Sequence, residues 1–151
     1  MRKAIAVAER GFRAGQGGPF GACLVKKGKV LALAHNTVLA QKDPTCHAEI
    51  NAIRIAAKKL RDFDLSGCEI YSTTEPCPMC FAAIHWAKIA RVIYGTTVGE
   101  VSRRGFNELL ISNSQMRRLG KSRVKIRAGF RKAECEDLLA QWDRFPRRKT
   151  Y

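Results

Sequence analysis

"CEIYSTTEPCPMCFAAIHWAKIARVIYGT", residues 68–96, decides the fold class. Cys68–Thr74 has the β-branched, alternating character of a strand, and 90–96 has it again. Between them, "PCPMCFAAIHWAKI" reads as a helix opened by Pro76 and Pro78. Upstream, "PFGACLVKKGKVLALAHN" predicts two strands joined by a tight turn at Lys27-Gly28. "DPTCHAEINAIRIAAKKL" predicts a helix: Asp43 or Thr45 can cap it, Pro44 suits its first turn, and Ile50, Ile53, Ala57 and Leu60 form the apolar stripe. A first helix runs to about Ala14, with Ile5, Ala8 and Phe12 along one face, before "GQGG" breaks it. Downstream, "GFNELLISNSQMRR" is expected to be helical, "VKIRAG" to be a short strand, and "KAECEDLLAQWDRF" a last helix. Helices that alternate with strands after an opening hairpin imply an α/β fold with a mixed sheet covered on both faces.

The chain has 151 residues, the size of one domain, and 46% hydrophobic with 27% charged residues fits an ordinary globular protein. No apolar run approaches the roughly 18–20 residues of a membrane span. The opening "MRKAIAVAERGFRAG" is interrupted by Glu9, Arg10 and Arg13 too early for a signal peptide, so a cytoplasmic location is the default expectation. Six cysteines, at 23, 46, 68, 77, 80 and 135, lie in apolar segments rather than a loop-rich framework, which favours metal binding or burial over disulfides. Cys23, Cys68 and Cys135 are expected to be buried small residues.

Twenty-eight Lys and Arg against 13 Asp and Glu give a net charge of +15, and residues 101–151 carry 14 of the basic and 5 of the acidic groups. A polyanion such as nucleic acid is one partner such a balance suits; solubility and a thermophile-like surface are its rivals. Apart from "RRK" at 147–149 the cations are dispersed, so nucleic acid is not the favoured partner.

The chemistry sits in "HAE" (His47, Glu49) and "PCPMC" (Cys77, Cys80), each opening a predicted helix. If both helix starts lie at one edge of the sheet, an imidazole and two thiolates converge as three zinc ligands and leave the fourth position to water. Cys77 and Cys80 project from one side of a helical turn, and a helix N-terminus stabilises thiolate. Glu49 is too close to His47 in sequence to be a convenient fourth ligand, yet well placed to carry a proton for the water. A redox dithiol would not need His-x-Glu elsewhere. A structural zinc site would need a fourth ligand, for which His35, His85 and Cys46 are the candidates. H-x-E…P-C-x-x-C is the arrangement of zinc-dependent nucleobase deaminases.

Through "GGPFGACLV", "HNTV", "DPTCHAEINAIR", "TTEPCPMCFAAIHWAK" and "GFNE", the sequence resembles the cytidine deaminase-like zinc hydrolases, most of all the guanine deaminase branch. The resemblance implies a three-layer α/β/α sandwich around a five-stranded mixed sheet, forming one zinc-dependent deaminase domain over 1–151 with residues from about 130 to 151 as a cap on the active site. It implies one Zn2+ per chain on His47, Cys77 and Cys80, and Glu49 as the proton shuttle. Asn36 resembles the asparagine that hydrogen-bonds the ring, and Phe20 and Trp86 the aromatics that flank it. Relatives carry an acidic pair after "GF", the second acid reading the guanine N1–H and 2-amino donors. Here Asn107 and Glu108 stand there, and Glu108 keeps the carboxylate on a longer stem. Tyr151 resembles the C-terminal tyrosine that closes over the base. In such enzymes that segment can cross to a partner subunit, so a homodimer is implied.

The activity implied is hydrolysis of the purine base guanine to xanthine and ammonia, in purine salvage or catabolism. The main rival is deamination of adenosine in transfer RNA, which the charge favours; "IHWAK", "GFNE" and the C-terminal cap argue against it. Cytosine or a free nucleoside is a third substrate class. A non-catalytic, zinc-stabilised nucleic-acid binder would have no use for Glu49.

Overall fold

The computed structural model describes residues 1–151. Helix α1 (Arg2–Arg13) leads into the hairpin of β1 (Gly21–Lys26) and β2 (Lys29–His35), which turns at Lys27-Gly28 as expected. A short helix α2 (Val38–Gln41) and the long helix α3 (Ala48–Leu60) follow. Next come β3 (Cys68–Thr74), α4 (Pro78–Trp86) and β4 (Arg91–Thr96). Helices α5 (Val98–Ser102) and α6 (Asn113–Leu119), strand β5 (Lys125–Arg127) and helix α7 (Lys132–Asp143) complete the chain. No helix is long and apolar enough to cross a membrane.

The five strands form one mixed sheet in the order β2-β1-β3-β4-β5. The hairpin and β1–β3 pair antiparallel, while β3–β4 and β4–β5 pair parallel. Helices α1 and α7 cover one face, where Phe12, Val101, Phe106, Leu138, Leu139 and Trp142 form a core. Helices α3 and α4 cover the other over a larger core that includes Leu24, Ile70, Phe81, Ile84 and Val92. This is the expected three-layer sandwich. Cys23, Cys68 and Cys135 are buried in it. Gly95 explains how closely α7 seats: a Cβ there would lie 2.3 Å from the Cys135 sulfur.

Three local expectations need correction. Helix α3 begins at Ala48 rather than near Asp43, because Asp43 Oδ1 accepts from the Thr45 amide and hydroxyl, both at 2.7 Å. That side-chain turn competes with helix over the same residues. The buried row of α3 is Ala48, Ala52 and Ala56, one helical turn apart, with Ile53 and Leu60 packed on its flank. Finally, "GFNELLISNSQMRR" is helical only from Asn113. Leu109, Leu110 and Ile111 are exposed, so a helix there would gain no apolar burial, and Gly105 takes a φ of 93°.

Helix α5 was not expected, although "TVGE" carries a capping box. The Thr97 hydroxyl accepts from the Glu100 amide at 3.3 Å, and the Glu100 carboxylate accepts from the Thr97 amide at 2.7 Å. Thr97→Ala should cost about 1 kcal/mol, the usual weight of an N-cap, read as a lowered midpoint in urea unfolding. An unchanged midpoint would mean that packing of Val98 and Val101 alone holds α5.

Candidate active site

Antiparallel β1 and parallel β3 and β4 bring the starts of α3 and α4 to one edge of the sheet. His47 is the N-cap residue of α3 and Cys77 that of α4, with Cys80 one turn further on. Their ligand atoms lie within 4.8 Å of one another. His47 Nδ1 stands 3.7 Å from Cys77 Sγ and 3.6 Å from Cys80 Sγ. Tetrahedral angles with ordinary Zn–S and Zn–N bonds require about 3.6 Å between such atoms. A hydrogen bond from Cys80, followed by His47, brings the Cys77 thiol down to about 4 despite its burial, so the metal-binding thiolate is favoured.

No fourth protein ligand joins them. His35 pairs with Gln16, His85 with Ser122 at 2.9 Å, and the Cys46 thiol with Asp43 at 3.3 Å. Three ligands with a position left to water is the donor set of a catalytic zinc site.

Glu49, in the first turn of α3, is buried against this cluster. Ser72 on β3 donates to its Oε1 at 2.8 Å, and its Oε2 lies 3.5 Å from Cys80 Sγ. Burial pushes the carboxyl up from its ordinary range.

A cavity of about 330 Å³ opens beside these groups. Phe20, His47, Glu49, Cys77, Glu108 and Tyr151 are among the residues in its wall. Phe20 and Tyr151 both meet Phe106 edge to face, with ring centroids 5.0 and 5.5 Å apart. The Gly18 amide donates to the Tyr151 hydroxyl at 3.2 Å, which holds Tyr151 in the cavity wall of its own chain. Burial first, then the charge of Cys77, raises the Glu108 carboxyl to about 7 against the pull of His47.

One expected ring contact falls elsewhere, and a second residue stands just outside the wall. Trp86 is 78% exposed at the end of α4, edge-on to His85, and takes no part in the cavity wall. Its position follows from α4, whose inward face is already filled by Phe81 and Ile84. Asn36 is fully buried behind the wall. Its Oδ1 accepts from the Val38 amide at 3.1 Å, and its Nδ2 has no hydrogen-bond partner within the chain. Gly17 makes room for it, since a Cβ there would lie 2.2 Å from Asn36 Oδ1.

The sequence reading missed Ser72, Thr74 and Phe106. Ser72 and Thr74 looked like ordinary strand residues; their place at the carboxyl end of a strand that feeds the cysteine helix was the available signal. The phenylalanine of "GFNE" was quoted only as a landmark for the acids that follow it.

The fold and the site define a zinc-dependent aminohydrolase. The chain belongs to the family described by the "Cytidine and deoxycytidylate deaminase zinc-binding region", which matches residues 1–96. It is similar to a guanine deaminase of Bacillus subtilis, 42% identical over 111 residues that cover 74% of this chain and 71% of the relative. It is also similar to a tRNA-specific adenosine deaminase of the same bacterium, 31% identical over 149 residues that cover 99% of this chain and 89% of that one. Among solved structures, a guanine deaminase from Nitrosomonas europaea superposes with a TM-score of 0.85, covering 93% of this chain and 80% of that chain at 26% identity. Relatives with two kinds of substrate therefore resemble it.

Proposed function

We propose that this chain hydrolyses guanine to xanthine and ammonia. The observation that supports the choice of substrate is the make-up of the cavity: Phe20, Phe106 and Tyr151 wall a space of about 330 Å³ beside the ligand cluster, and Glu108 presents a carboxyl group in the same wall. Such a space suits a free base, whereas the base of an anticodon loop arrives attached to a sugar-phosphate chain.

His47, Cys77 and Cys80 would hold zinc, which when bound would supply the Lewis acidity that makes water a nucleophile near neutral pH. Glu49 takes a proton from the attacking water as the new C–O bond forms at the ring carbon bearing the amino group. Ser72 fixes one carboxylate oxygen and leaves the other to receive that proton. Glu49 then returns it to the ring nitrogen, takes the remaining proton from the new hydroxyl group and passes it to the amine, which leaves as ammonia as the C–N bond breaks and the carbonyl forms. Its raised proton affinity suits both directions of this traffic. Glu108 pairs with N–H donors of the base, and the Asn36 amide, unpartnered within the chain, is a donor for a ring acceptor.

The test is ammonia release by the zinc-loaded protein offered guanine, guanosine, cytosine, adenine and an adenosine-bearing anticodon stem-loop. Turnover of guanine above the others is expected; activity on the stem-loop alone would overturn the proposal and make the +15 charge the better guide. A homodimer belongs to the same proposal, with the exposed Trp86 and Leu119 as apolar surface for a second copy. Light scattering on the same sample tests it, a monomeric mass counting against it.

A further inference from the structure

Glu75 is a buried carboxylate that the chemistry above does not use. It follows β3 and lies in the cavity wall, yet both oxygens are engaged by the chain's own donors. Oε1 accepts from the Asn113 amide at 2.8 Å and the Tyr94 hydroxyl at 3.1 Å, and Oε2 from the Val98 amide at 3.3 Å.

Val98 and Asn113 are the first residues of α5 and α6. The two oxygens of one side chain thus hold both ends of the stretch 98–113. That stretch delivers Phe106, Asn107, Glu108 and Leu109 to the cavity, and its middle, from Arg103 to Ser112, has neither helix nor strand. Asn113 Nδ2 also donates to the Pro76 carbonyl at 2.5 Å, which ties the same end to the residue before Cys77. Phe106 in the core and the Asn107 amide, which donates to the Tyr151 carbonyl at 3.1 Å, hold the middle of the segment, while one carboxylate supplies an anchor at each of its ends.

We propose that Glu75 is a positioning residue for substrate selection: it staples both ends of the 98–113 segment and so sets where the Glu108 carboxylate stands over the base. The identity of the base rests on the guanine reading; the staple itself does not.

Glu75→Gln tests it in the zinc-loaded protein, because an amide nitrogen cannot accept from a backbone N–H. The expected result is a KM for guanine raised about tenfold with kcat altered less than about threefold, the weight of a lost charge-assisted hydrogen bond. Glu75→Gln combined with Glu108→Gln should be no worse than Glu108→Gln alone, since both act on one contact. Trypsin should cut after Arg103 and Arg104 about tenfold faster, in step with the larger open population of the segment. Additive losses in the double variant, or unchanged tryptic rates, would overturn the proposal. If Glu75→Gln fails to fold, Val98→Pro removes one of the same amides at a first helical position where proline is tolerated. A smaller KM rise and faster cleavage are then expected, and no change in either would reduce Glu75 to a fold-holding residue. A wild-type protein that leaves guanine untouched would sink the substrate reading, while the tryptic rates would still decide the staple.

Discussion

Glu49→Ala is expected to keep its zinc and lose its turnover, with kcat down by about a thousandfold or more, the usual weight of a well-placed general acid–base. That factor corresponds to about 4 kcal/mol of barrier. The metal should stay because the ligand cluster consists of His47, Cys77 and Cys80, all on other side chains. Turnover should go because no other carboxylate combines burial beside these ligands with one oxygen fixed by Ser72 and the other turned towards the ligand cluster at Cys80. Zinc content by mass spectrometry and ammonia release must be read on one sample. A variant that keeps more than about a tenth of the activity would move the proton transfer to another group. One that loses its metal would make Glu49 a structural support of the ligands.

Glu108→Gln should lower kcat/KM for guanine by roughly a hundredfold, mostly through KM, since a charge-assisted hydrogen bond to a buried partner is worth about 1.5–3 kcal/mol. The wild-type protein should add a pH signature. With the Glu108 carboxyl raised to about 7, the acid is neutral below that pH and charged above it. The charged form is the one that accepts from two donors, so KM for guanine should climb as pH falls through about 7 and level off above it. In Glu108→Gln the climb should vanish. A variant that keeps the same KM profile would assign base recognition to some other group and count against guanine as the substrate.

Much of this was legible in the sequence because short-range rules governed it. The Lys27-Gly28 turn and the β3 and β4 strands came out as read, since alternation and turn chemistry are local. The ligand cluster was legible because the chemistry of zinc fixes its residue types and their spacing. What escaped depended on tertiary contacts. The stripe predicted on α3 favoured bulky residues, but the sheet accepted the alanines instead, because close approach outweighed side-chain size. Trp86 had the right residue type and the right neighbours in sequence, yet its direction was set by which face of α4 Phe81 and Ile84 occupy. The stretch from Arg103 to Ser112 has the apolar content of a helix, and only its exposure shows why it forms none. Asn36 was recognised by resemblance, and its unpaired amide is visible only once the folded chain shows what its oxygen is already holding.

The alanine row of α3 has a consequence for the metal. Ala48, Ala52 and Ala56 are the shims that fix the standoff between this helix and the sheet, and His47 is mounted at the helix's leading end. Cys77 and Cys80 ride on a different helix. The gap between imidazole and thiolates is therefore gauged by methyl groups reaching more than two turns away in the hydrophobic core. Thickening a shim, as in Ala52→Val, would tilt His47 out of reach before it unfolded anything, and a zinc titration would register the misfit first.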